Sequence, residues 1–277
     1  MPVTFELKSQ SNLLLDVRNL NPDSVAGLSV QEIGRIEIGL GNRKSTVAQW
    51  FDVVGMSDDR EVIFKGTLEN VLSIGHSLNG GRITIDGTAG RHVGASMSAG
   101  EIVVHGDVGD YLGYEMQGGT IVVHGSAGDH VGGCYPGARF GMNRGSILIA
   151  GSAGQGLGHR MRRGTIVVGG DVGDHAGWQM RAGTIFICGS CSGSVGIDMK
   201  RGMIVMARGC DFQSPTFSRG LVANSWVIGN LSQWLGKLAT RHALPLPLPV
   251  GPLFQSWHGD SLAGWRGEVF TAVEEAD

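Results

Sequence analysis

Cys188 and Cys191 form the chain's one Cys-x-x-Cys pair, a spacing that can hold zinc or run thiol–disulfide exchange. Neither a second such pair nor a ferredoxin-type cluster spacing accompanies it. Cys191 also falls in a column otherwise filled by alanine and valine, which reads as interior packing. Histidines offer a second chemistry. His92, His130 and His175 occupy equivalent positions, with Tyr111 and Gly156 interrupting them, and His105 and His124 form another pair. Stacked imidazoles can ligate a metal. Here they alternate with interior valine, leucine and alanine, so they are expected at a solvated corner, beside Asp110, Asp129 and Asp174. Arg160, Arg162 and Arg163 cluster, which a solvated turn explains as well as a binding site does. No nucleophile elbow, zinc-protease, phosphate-loop or dinucleotide motif stands in its required context. The expectation is a chain without catalytic, cofactor or metal residues of its own.

The elements that hold these residues are repeats. Anchor glycines at Gly81, Gly100, Gly119, Gly145, Gly164, Gly183 and Gly202 are spaced 19, 19, 26, 19, 19 and 19 residues apart. An isoleucine stands two positions after every anchor, from Ile83 and Ile102 to Ile185 and Ile204. A second apolar column follows two further on: Ile85, Val104, Val123, Ile149, Val168, Ile187 and Met206. Period-2 β-branched pairs are the mark of short strands with a buried face. Methionines 97, 116, 142, 161, 180 and 199 make a further column, suited to filling an irregular interior. One such unit cannot bury its apolar side alone, so stacking is required. The fold expected is all-β, a parallel, right-handed β-helix solenoid with about 19 residues per coil.

Composition agrees. Glycine supplies 47 of 277 residues, against a usual share of about 7%, and so predicts many tight turns. Net charge is −3 with a pI near 6.3, and no basic stripe dense enough for nucleic acid stands out. No apolar run long enough to span a bilayer and no secretion signal is visible, so the chain is expected in the cytoplasm, its four cysteines reduced.

Three segments are expected: an N-terminal cap over 1–61, the glycine-repeat β-helix over 62–209, and a C-terminal extension with a proline-rich linker over 210–277. Residues 62–80 read as a degenerate first coil, and helices are expected near 29–35 and 229–242. Between the two inward columns lies an outward one: Thr84, Val103, Val122, Leu148, Val167, Phe186 and Val205. An apolar stripe that long needs a cover, supplied by the chain's own termini or by a partner.

The run GEIVVHGDVGDYLGYEMQGGTIVVHGSAGDHVGG (100–133), the break CYPGARFGMNRG (134–145) and the entry VLSIGHSLNGG (71–81) resemble the C subunit family of formylmethanofuran dehydrogenase. That family shares its coil pattern with the C-terminal glycine-motif domain of glutamate synthase. The resemblance covers about residues 5–209. SWHGDSLAGWRGEVF (256–270) and the MRRG coil look closer to the bacterial formyltransferase/hydrolase form. The resemblance implies a structural subunit beside amidohydrolase-like and formyltransferase-like chains. Such a complex takes formyl from formyl-tetrahydromethanopterin to a methanofuran-type carrier and hydrolyses it to formate. Two alternatives stay open: a tungsten or molybdenum dehydrogenase subunit that serves CO2 reduction, and a free-standing glutamate-synthase-type module. A left-handed hexapeptide acyltransferase is disfavoured, because its six-residue steps give 18 per coil and no hexad subdivides the repeat. The expected partner contacts are Tyr135, Arg139 and Phe140 in the break, and the stripe Val103, Val122, Leu148, Val167 and Phe186.

Overall fold

The computed structural model describes residues 1–10, 12–56, 60–208, 212–248 and 253–273. The N-terminal segment begins with β1 (Val3–Leu7), β2 (Leu15–Asp16) and the short helices α1 (Pro22–Val25) and α2 (Val30–Gly34). Ser29 and Glu32 start α2 as a reciprocal capping box, each satisfying an amide that the first helical turn leaves unpaired. There follow β3 (Glu37–Leu40), β4 (Arg43–Thr46), α3 (Val47–Trp50) and β5 (Phe51–Val54). Their core is a trio of rings: Phe5 stacks on Phe64 at 5.0 Å, and Phe51 meets Phe5 edge-on at 6.0 Å. That core runs without interruption into the repeats.

The repeat strands are β6 (Glu61–Lys65), β7 (Val71–Leu72), β8 (Asn79–Asp86), β9 (Ala99–Val104), β10 (Thr120–Val123), β11 (Ser146–Ile149), β12 (Thr165–Val168), β13 (Thr184–Ile187) and β14 (Gly202–Met206). β6 and β8–β14 pair in parallel within one 13-stranded sheet. Ile102 faces Ile121, and across the insertion Ile121 faces Ile147, which leads to Ile166, Ile185 and Ile204. All six are fully buried, and each such side chain contributes about 1.5–3 kcal/mol by leaving water. A second ladder of parallel bridges links Leu68, Ala89, Val108, Ala127, Ala153, Val172 and Cys191. Within the segment 62–80, read as a degenerate first coil, β6 pairs with β8 and Leu68 bridges Ala89, so both ladders begin there.

Glycine and isoleucine columns are coupled. Gly94 sits at φ +66°, and a Cβ there would lie 2.5 Å from Cδ1 of Ile121. Isoleucine two coils on thus lies across the space the glycine leaves. Corner aspartates tie adjacent coils: Asp107 accepts from the Ser126 amide at 2.7 Å, and Asp110 from the Asp129 amide at 3.0 Å. Asp129 and Asp171 repeat the contact with Gln155 and Ser190.

The C-terminal extension carries the helix expected near 229–242 and adds strands to the sheet. Its elements are β15 (Ser218–Asn224), α4 (Trp226–Arg241), β16 (Leu253–Gly259) and β17 (Gly267–Ala272). β17 rejoins the sheet parallel to β14, with Ile204 against Val269, and β16 and β15 follow antiparallel. Ser225 caps α4, whose Ile228, Leu235 and Ala239 are buried. Residues 249–252 of the proline-rich linker and the acidic 274–277 lie outside the described residues.

This extension corrects one expected contact. Val103, Val122, Leu148, Val167 and Phe186 are at most 3% exposed. Val103, Val122 and Leu148 pack against Ala239 and Leu244, and Val167 and Phe186 against Ile228, Leu235 and Phe254. The amphipathic α4 and its flanks bury their own apolar face on the stripe, so the stripe is no free surface for a partner.

Candidate functional site

The seven-residue insertion lies in a loop over Cys134–Gly141, held at both ends and in the middle. The Gly141 amide donates to the Arg160 carbonyl at 3.0 Å, and Met142 to Gly132 at 2.8 Å. Arg160 Nη1 donates to the Ala138 carbonyl at 3.0 Å, and its Nε to Gln179 Oε1 at 2.8 Å. The Tyr135 amide donates to Glu115 Oε1 at 3.2 Å, and the Tyr135 hydroxyl lies 3.1 Å from His92 Nδ1. Such anchoring makes the loop part of the surface rather than a loose excursion.

Beside it the coil spacing turns equal columns into stacked rings. His92 lies over Tyr111 at 4.8 Å, and Tyr111 over His130 at 5.7 Å, nearly parallel. His92, Tyr111, His130 and His175 all hold φ between +61° and +65°, the tight corner that sequence reading placed there. Tyr114 closes the group, edge-on to Tyr135 at 4.6 Å and to Tyr111 at 5.0 Å. One turn along, His159 stacks on Trp178 at 4.5 Å. Burial drives the protonation of this face in one direction. It raises the phenols of Tyr114 and Tyr135 and the thiol of Cys134. It also lowers His76, His92 and His159 below their usual 6.5. Neutral imidazoles and protonated phenols can stack and hydrogen-bond, but they supply no activated nucleophile.

Arg139 and Phe140 form the other side of the loop. The Phe140 ring has Arg162, Arg139 and Arg181 guanidiniums 4.7, 5.0 and 5.9 Å from its centroid. Of the expected contact residues, Tyr135 and Arg139 are exposed and Phe140 is half-buried. The motif-based candidates are dispersed. Cys134 and Cys188 are buried free thiols, and burial pushes Cys188 up to about 12. His105 meets His124 at 5.3 Å and Asp86 Oδ1 at 2.7 Å. Among the described residues no group of three or more His, Cys, Asp or Glu side chains could hold a metal ion. No described helix is long and apolar enough to cross a membrane. Sequence reading missed Tyr114, His159 and Trp178, which share one column three positions beyond the histidines, and the grouping of Arg162 and Arg181 with Phe140.

The family model of the GXGXG motif matches residues 62–231, more than half of the chain. The chain belongs to the GXGXG-motif family. Its homologues include the C subunits of formylmethanofuran dehydrogenases. This GXGXG protein is 37% identical over 90 residues to the C subunit of the molybdenum-containing formylmethanofuran dehydrogenase 1 of Methanosarcina barkeri. That match covers 31% of this chain and 30% of the relative. The C subunit of the tungsten-containing formylmethanofuran dehydrogenase 2 of Methanothermobacter marburgensis is 35% identical over 90 residues, 31% of this chain and 33% of the relative. The GXGXG protein thus spans about a third of the length of the curated relatives it matches. A solved structure extends the likeness. It is a chain of the formyltransferase/hydrolase complex of Methylorubrum extorquens, crystallised in complex with methylofuran. The two superpose with a TM-score of 0.87 and 31% identity, over 98% of this chain and 100% of that one.

Proposed function

We propose that this chain is the non-catalytic structural subunit of a formyltransferase/hydrolase complex. In this reading, residues 62–209 wind as a right-handed parallel β-helix of about 19 residues per coil, with 1–61 as cap and 210–277 as an extension that covers the outer stripe. Amidohydrolase-like and formyltransferase-like partners in the cytoplasm move formyl from formyl-tetrahydromethanopterin to a methanofuran-type carrier and release it as formate. This chain gives them a rigid surface, and the loop with Tyr135, Arg139 and Phe140 is the contact. The observation that carries the reading is the correspondence over 98% of the chain, at 31% identity, with the hydrolase-complex structure. It therefore takes in the C-terminal extension as well as the repeats. The test is to purify the tagged chain with the products of its neighbouring genes, then measure bound metal and formate release. Formate release without tungsten or molybdenum supports the reading. Stoichiometric tungsten or molybdenum would move the chain to the dehydrogenase class.

A further inference from the structure

We propose that a stripe of basic side chains beside the insertion loop receives an acidic polypeptide segment of a partner subunit. The proposal rests on the complex-subunit reading above and names the partner chemistry of that face. Arg162, Arg181 and Lys200 occupy one column on three successive coils. Their amides donate to the carbonyls of Met142, Met161 and Met180 at 2.8, 2.7 and 2.8 Å. Parallel pairing therefore sets them about 4.8 Å apart along the stack. Arg163 and Arg201 follow Arg162 and Lys200 in sequence, Arg144 holds the position of Arg163 one coil earlier, and the loop adds Arg139. All are exposed except Arg181, which is half-buried.

Lys8, Arg18, Lys44, Arg60, Arg82 and Arg91, away from the stripe, each pair with a carboxylate. Among the described residues, none of the seven cations of the stripe forms an ion pair. Like charges a coil apart fall well inside the screening length of about 8 Å at physiological salt, so their fields add. Phe140 holds three of the guanidiniums in place by cation–π contact. On a chain of net charge −3 this is a local positive field that no carboxylate among the described residues pairs with. A run of Asp and Glu side chains supplies that charge in fork-matched form. A nucleic acid fits less well, because the one aromatic ring in the stripe is flanked by guanidiniums and is not open for base stacking.

The test uses the whole complex, co-expressed with its neighbouring genes and pulled down on a tagged copy of this chain. Charge reversal by Arg162→Glu with Arg181→Glu is compared with Arg43→Glu, an exposed position remote in the fold. Partner recovery should fall at least ten-fold with the double reversal, stay unchanged with Arg43→Glu, and drop steeply for wild type between about 0.05 and about 0.5 M salt. In parallel, Arg162→Lys with Arg181→Lys keeps the charge and offers amines for carbodiimide cross-linking. The links from these positions and Lys200 should converge on one acidic segment of a partner. Full recovery with the double reversal overturns the proposal, as do links confined to this chain, or an oligonucleotide probe bound through the same arginines. If wild type recovers no partner at all, the subunit reading fails and takes this proposal with it.

Discussion

Replacing Phe186 by alanine tests whether the extension truly covers the outer stripe. The ring is 0% exposed and lies in a cluster with Val167, Val205, Ile228 and Leu235, the last two from α4. Truncating a fully buried phenylalanine costs about 3–5 kcal/mol, and truncating a buried leucine about 2–5 kcal/mol. At about 1.4 kcal/mol per decade, Phe186→Ala should lower the folding equilibrium constant by roughly two to three and a half decades. Leu235→Ala should be comparable. Because both residues sit in one cluster, the double variant should deviate from additivity by about 0.5–3 kcal/mol. Trp234, on the same helix but 45% exposed, should change stability by no more than about 0.5 kcal/mol when made alanine. The assay is urea unfolding of the purified chain, followed by tryptophan fluorescence and circular dichroism. If Leu235→Ala shifted stability by less than about 0.5 kcal/mol and added to Phe186→Ala without coupling, α4 would not lie on the stripe in solution.

Gly94→Ala should destabilise the repeats by more than about 1 kcal/mol, since it forces a left-handed φ and drives a methyl into Ile121; the urea midpoint reads this. Acidification should weaken the fold. His76, His92, His124 and His159 have folded pKa values lowered by burial, so the unfolded chain binds more protons. Their contribution is complete above the unfolded value of about 6.5 and is lost as pH falls below it. Urea midpoints at a pH above and a pH below that value check the sign, and His159→Gln should flatten the dependence. Cys188, with its thiol pushed up to about 12, should resist iodoacetamide in the native chain at mildly alkaline pH and react after denaturation. Arg160→Ala removes the donor to Ala138 and should speed amide exchange across 134–141 while leaving the repeat strands protected.

The repeat was readable because its physics is periodic. An isoleucine two positions after every anchor glycine can only be an interior ladder, and the structure pairs those residues with one another. Methionine 97 and its equivalents are buried for the same reason. The stripe was readable as apolar, yet not its cover. The pattern of 226–241 gives an amphipathic helix, but amphipathicity names no docking face, and β17 reaches β14 through a contact far apart in sequence. Similar logic applies at the loop. Tyr135 and Arg139 stood out as an interruption, whereas Tyr114 gave no signal of its own, since only stacking sets its ring against Tyr135. Arg160, Arg162 and Arg163 read as a local cluster that a solvated turn explains, and Arg181 did not stand out. Only the register between coils makes a stripe of Arg162 and Arg181.

The most direct test of the platform account is to produce the partner subunits with and without this chain, and the chain alone. Transfer from formyl-tetrahydromethanopterin to the carrier, hydrolysis of the formylated carrier, and the coupled release of formate are then assayed separately. The account predicts that the chain alone catalyses nothing, and that coupled formate release appears only when the chain joins its partners. Turnover by the isolated chain, or full coupled activity in its absence, would contradict it.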